Sequence, residues 1–224
     1  MKALAPDDRP REKLLRHGPG PLGDNELVAA VLGHGCRMLP ALDLATRVLA
    51  SVGGVQELAR MSARDLARQP GLGVTGAARL LAGMELGRRA LAQALPARSR
   101  LASPREVAAY LLPRFGAAAV EQFGVLLLDA RHRVLDARVL TTGTVDASPA
   151  YPRDVFREAT LAGAAAVVLF HNHPSGDPTP SPEDIALTKR LCLAGELMGI
   201  EVIDHVILGG GVFCSLRDIG VFRA

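Results

Sequence analysis

An apolar run from Leu161 to Phe170 leads directly into His171-Asn172-His173, and then into a loop with three prolines and one glycine, Pro174 to Pro180. No other feature constrains the fold as tightly. The run is far too short to span a bilayer, which takes about 20 residues of helix, so Ala165 to His171 reads as a strand buried in a core. If the chain stays extended, the two histidines lie two residues apart and point to one face. After the stiff loop, Ser181 caps a helix reaching about Met198, with Gly199 as its stop.

Strands and helices continue on both sides of this unit. Ser103-Pro104-Arg105-Glu106 caps a helix to about Leu112, and Phe123–Leu128 and Val134–Leu140 read as strands. Pro152 begins a helix to about Gly163. Val202–Leu208 is a further strand, and Gly209-Gly210-Gly211 turns the chain into Val212–Ser215. Mixed elements of this kind build an α/β or α+β domain.

The first hundred residues read as all helix. Gly23-Asp24-Asn25-Glu26 starts a helix carrying Leu27, Val28, Ala30, Val31 and Leu32, and Leu42–Ala50 repeats the pattern until Gly53-Gly54 ends it. Ser62 and Asp65 form a capping box for a short helix. Pro70-Gly71-Leu72-Gly73 breaks the chain, and Ala77–Ala90 resumes as helix. Ala92–Ser103, with Pro96 and two arginines, lacks periodicity. The expected organisation is a helical domain over 1–98, a linker over 99–102 and a mixed domain over 103–224.

Composition fits a folded chain, with 49% hydrophobic and 22% charged residues among 224. Trp is absent, so aliphatic side chains must fill the core. Residues 1–100 hold 15 basic and 9 acidic side chains, net +6, whereas residues 101–224 hold 11 and 14, net −3. A basic half beside an acidic half suggests a nucleic-acid contact in the first. Cys36, Cys192 and Cys214 are widely spaced and form no C-x-x-C pair, which excludes a disulfide framework and a thiolate cluster. The first ten residues, with Pro6, Asp7, Asp8 and Pro10, do not read as a secretory leader. A cytoplasmic protein with no membrane partner is expected.

The chemistry concentrates in His171–Asp184. Two imidazoles on one face begin a zinc site, and a catalytic site takes a third protein ligand while leaving a position for water. Asp184, in the first turn of the helix that Ser181 caps, is placed to be that ligand. Each part also has an ordinary reading: strand-end histidines can be satisfied by hydrogen bonds, and Asp184 can be the far half of a capping box. Asp204-His205, a polar pair in an apolar strand, reads equally as support for metal ligands or as a buried pair satisfied by backbone.

H-x-H, a seven-residue gap and S-x-x-D, with a glutamate upstream, resembles the JAMM signature of MPN-domain metalloproteases. The fuller string His171-Asn172-His173-Pro174-Ser175-Gly176, with Pro180-Ser181, Asp184, Thr188 and Asp204-His205, resembles the RadC family, a bacterial branch of that group. Pro152-Arg153 and Gly143-Thr144 extend the match. The resemblance implies an MPN-like α/β domain over 103–224 holding one Zn2+ through His171, His173 and Asp184. It implies Glu121, just before the strand Phe123–Leu128, as general base, and Ser181 as a donor to the tetrahedral intermediate. The implied activity is hydrolysis of an amide or isopeptide bond in a peptide or protein substrate. The alternative is a DNA-associated accessory protein with a structural or idle metal site. An HNH nuclease would disperse its motif over a longer unit. A metallo-β-lactamase would need Asp and His where Ser175 and Gly176 stand, and a zinc deaminase would need P-C-x-x-C.

In the first region Gly71-Leu72-Gly73 before Ala77 resembles the hairpin of a helix-hairpin-helix module, whose backbone N–H groups can hold a phosphate. The position that often carries Lys is Gly76, leaving Arg79 as the nearest cation. Gly71, Gly73 and Arg79 are therefore the candidates for a weak, sequence-independent DNA contact through 1–98. A hairpin used only for packing is the other reading.

Overall fold

A computed structural model describes residues 8–93, 99–143 and 150–222. The chain divides into two compact units, Met1–Gly87 and Arg88–Ala224. Thr144 lies outside the described residues, as does Pro96 with the rest of 94–98, the end of the expected helical domain.

The first unit contains helices α1 (Pro10–His17), α2 (Asp24–Leu32), α3 (Ala41–Val52), α4 (Val55–Arg60) and α5 (Ala63–Ala67), and the start of α6 (Gly73–Gln93). They bury a single aliphatic core that includes Val28, Leu32, Leu44, Val48, Leu58, Leu66 and Leu80. The caps follow the sequence. Glu26 Oε2 accepts from the Gly23 amide at 2.9 Å, and Ser62 Oγ accepts from the Asp65 amide at 3.1 Å. Helix α1 was invisible to apolar periodicity because it buries no residue; Lys13 ties it to Glu26 at 2.8 Å. Helix α6 begins four residues before the expected Ala77, because Gly73 and Gly76 in its first turn interrupt the apolar pattern.

The second unit continues with α7 (Pro104–Phe115), β1 (Gln122–Leu128), β2 (Val134–Thr142), α8 (Pro152–Leu161), β3 (Ala166–Asn172), α9 (Pro182–Met198), β4 (Glu201–Gly209) and β5 (Val212–Ser215). The strands form one sheet in the order β2-β1-β3-β4-β5. Strands β3 and β4 are parallel, joined through α9, and the other neighbours are antiparallel. Every residue of β3 is buried, as its apolar run demands. Val167 and Leu169 face a core closed by α8 and α9, while Ala166, Val168 and Phe170 face one closed by α7. Helix α7 runs past Pro113 to Phe115 instead of stopping at Leu112. Phe115 packs on Phe170 with ring centroids 4.5 Å apart, a contact absent from any local signal. No helix among the described residues is long and apolar enough to cross a membrane.

Candidate metal centre

The C-terminal end of β3 and the N-terminus of α9 bring His171, His173 and Asp184 together, with their candidate ligand atoms all within 4.8 Å of one another. His171 Nε2 stands 2.9 Å from His173 Nε2 and 3.3 Å from Asp184 Oδ1. His173 Nε2 is 3.7 Å from Asp184 Oδ2. Four ligands placed tetrahedrally at about 2.0–2.1 Å from a zinc ion stand roughly 3.3 Å apart, and these three spacings bracket that value. Two imidazoles and a carboxylate are also the donor set zinc favours.

The protonation of His173 follows from its surroundings. Its Nδ1 lies 2.7 Å from the carbonyl oxygen of Asp177. A carbonyl can only accept, so Nδ1 carries the hydrogen and Nε2 keeps its lone pair. The loop holding Asp177 is braced by the β4–β5 turn. A side chain at Gly209 or Gly210 would start 2.8 Å from the Gly176 oxygen, so these two positions need glycine for close approach.

Asp184 is the far half of the capping box, and its carboxylate also stands beside the two histidines. Ser181 caps α9 by accepting from the Asp184 amide at 3.1 Å. Asp184 Oδ2 in turn accepts from the Ser181 amide at 2.8 Å and hydroxyl at 2.6 Å. Oδ1 is left to face His171. Burial pushes the Asp184 carboxyl up, but the hydrogen bond and charge of His171 and the Ser181 donors outweigh it, holding the group well below the usual carboxylate range. A hydroxyl has one proton, and that of Ser181 is engaged by Asp184. The expected donation to a tetrahedral intermediate therefore needs that bond to break first. As it stands, Ser181 orients the Asp184 carboxylate.

Asp204 and His205 point to opposite sides of β4. His205, fully buried, lies with Nε2 2.8 Å from His171 Nδ1 and with Nδ1 2.6 Å from Thr188 Oγ1. Burial, then the charge of His171, hold its pKa well below the ordinary value. Asp204 instead accepts from the His205 amide at 2.7 Å, the Ser215 hydroxyl at 2.6 Å and the Arg217 amide at 3.0 Å, fastening the chain after β5 to β4. Burial raises its pKa despite those bonds. His205 touches a candidate metal ligand and Asp204 does not.

Glu121 is exposed and stands outside the His171–His173–Asp184 group. Its backbone oxygen accepts from the Gly143 amide at 2.6 Å. Asn172, between the two histidines, anchors the neighbouring segment: Oδ1 accepts from the Gln122 amide at 2.9 Å, and Nδ2 donates to the Ala118 and Val120 carbonyls. Neither this role of Asn172 nor the link from Thr188 to His205 could be read from the motif, since both depend on strand pairing.

In the first unit, Arg79 Nη1 donates to the Leu32 carbonyl at the end of α2. Gly71 has φ +88°, and a side chain there would start 3.0 Å from Cys36 Sγ and Leu44 Cδ1. Gly73 has φ +64° with open space around it. The hairpin thus packs tightly at Gly71, and its nearest cation already has a carbonyl partner.

Residues 101–221 match the profile of the RadC-like JAB domain, and residues 1–78 that of the UPF0758 N-terminal region. The chain is 44% identical to a UPF0758 protein of Moorella thermoacetica, over 97% of this chain and 95% of the relative. It is 44% identical to one of Symbiobacterium thermophilum, over 99% and 97%, and 41% identical to one of Geotalea uraniireducens, over 99% and 98%. The mixed five-stranded sheet with its helices is accordingly a JAB/MPN fold, and the chain belongs to the UPF0758 (RadC) family.

Proposed function

We infer that the chain is a zinc-dependent hydrolase of the JAMM type, acting on an amide or isopeptide bond of a peptide or protein. The observation that carries this reading is the convergence of His171 Nε2, His173 Nε2 and the Asp184 carboxylate at the end of the central strand. A zinc ion held there supplies Lewis acidity, which makes water a nucleophile at neutral pH.

The chain's own groups do the rest. Strand β1 pairs Phe123 with His171, so Glu121, just before β1, and His173, just after β3, lie at the same end of the sheet. Glu121 is not needed as a ligand and is free to act as general base, taking a proton from water and passing it to the leaving nitrogen. Ser181 and Asp177 hold Asp184 and His173 in place, so the ligands need little rearrangement on binding metal.

Metal analysis of the purified chain tests this reading. Wild type is expected to hold one zinc per chain and His173→Ala to lose it. Stoichiometric zinc retained by His173→Ala would overturn the site. Profiling the zinc-loaded protein against a peptide library then reads the activity.

A further inference from the structure

A chain of buried polar atoms runs from helix α9 through strand β4 to the metal-ligand strand. Thr188 Oγ1 lies 2.6 Å from the Asp184 backbone oxygen and 2.6 Å from His205 Nδ1. His205 Nε2 lies 2.8 Å from His171 Nδ1. Thr188, His205 and His171 are all at most 1% exposed, so no solvent molecule can substitute for a missing partner. The Phe123 ring lies over His171 at 6.4 Å and edge-on to His205 at 5.7 Å, which restricts both imidazoles to these orientations.

The chemistry of each atom gives this chain one direction. The Asp184 carbonyl can only accept, so the single hydroxyl proton of Thr188 goes to it. Towards His205 the same oxygen must accept, and Nδ1 of His205 carries the hydrogen. A neutral imidazole protonated on Nδ1 has a bare Nε2, which accepts from Nδ1–H of His171. Nε2 is then the one ring nitrogen of His171 left for a metal, and it faces His173 Nε2 and Asp184 Oδ1.

We propose that Thr188 is a positioning residue which, through His205, fixes His171 in the tautomer that presents Nε2 to the metal. This rests on the zinc reading for its purpose, but the tautomer itself is a property of the metal-free chain. The helix that supplies Asp184 thereby also sets the proton on the strand that supplies His171. Replacing Thr188 by valine keeps the shape and removes the acceptor. His205 would then place its hydrogen on Nε2 and donate to His171 Nδ1. The hydrogen of His171 would move to Nε2 and block ligation.

The test uses nitrogen-15 NMR of the histidine rings in the metal-free, full-length chain, together with zinc titration. In wild type and Thr188→Ser, His171 is expected to carry its hydrogen on Nδ1. In Thr188→Val it is expected on Nε2, with zinc affinity lower by about 10–100-fold, the usual effect of losing such an outer partner. A His171 Nδ1 without hydrogen in the wild type would overturn the proposal, whether or not Thr188→Val folds. So would a folded Thr188→Val with wild-type tautomer and affinity. If the tautomers behave as expected while wild type binds no zinc, the positioning role stands and the zinc reading fails.

Discussion

At the scale of single residues, the two oxygens of Asp184 divide the work. Oδ2 closes the cap of α9 with Ser181, and Oδ1 faces His171. A capping aspartate can also be the proposed ligand here because the first turn of a helix is where a carboxylate is electrostatically favoured. Glu121 is held differently, through its backbone and its neighbours, with its carboxylate exposed. The two acidic residues should therefore separate cleanly by mutation. Glu121→Gln is expected to keep zinc near wild-type affinity and to lower turnover by roughly 10²–10⁴, the worth of a positioned acid–base group. Asp184→Asn should lose zinc and turnover together, since a neutral amide is a poor zinc ligand. Zinc titration beside peptide-hydrolysis rates checks both; loss of zinc in Glu121→Gln would make Glu121 a ligand.

At the scale of elements, tight turns decide where the strands can hold these groups. The β1–β2 turn is organised by Asp129, whose carboxylate accepts from the Arg131 and Arg133 amides at 2.8 and 2.9 Å and from Arg133 Nε at 2.7 Å. His132 accepts a φ of +55° within it. The Arg133 amide, aided by the Arg131 amide and the Arg133 side chain against a desolvation cost, lowers the Asp129 pKa from 3.8 to about 2. Because the folded-state value lies below the unfolded one, the unfolded chain binds the proton more readily, and this contribution to stability is lost as pH falls from about 4 towards 2. Asp129→Asn should flatten the pH dependence of thermal unfolding in that window, while leaving zinc affinity unchanged; an unchanged slope would count against the turn carrying that charge. Pro113 gives the complementary lesson. The expected helix ends at about Leu112, yet α7 continues past Pro113 to Phe115, where Phe115 gains the face of Phe170.

At the scale of the whole molecule, the basic first hundred residues suggested a duplex contact, and the structure places Arg79 against the Leu32 carbonyl at the end of α2. A guanidinium there complements the negative end of the helix. Arg79→Ala is expected to cost about 1 kcal/mol of stability and to leave any duplex binding of the full chain unaltered. Chemical denaturation and low-salt binding assays read the two effects apart. A fall in duplex affinity would return Arg79 to the phosphate.

The division into a helical stretch and a mixed one was legible in the sequence, as was the buried strand ending in two histidines. So were the capped helix that returns Asp184 and the closeness of His171 to His173. These are local matters: apolar period, cap chemistry and a short stiff loop act over a few residues and need no partner. Strand order, and with it everything that acts across strands, was decided by tertiary structure. Thr188 meets His205, and His205 meets His171, because α9 carries the chain across to lay β4 parallel to β3. Asn172 reaches back fifty residues to Gln122 because β1 pairs antiparallel to β3. Asp204 and His205 alternate to opposite faces as neighbours in any strand do, but which of them meets His171 was decided by the pairing of β4 with β3. Such pairings join residues far apart in the chain, and the free energy that selects among them is the burial of the whole β3 surface on both sides, which no short segment contains.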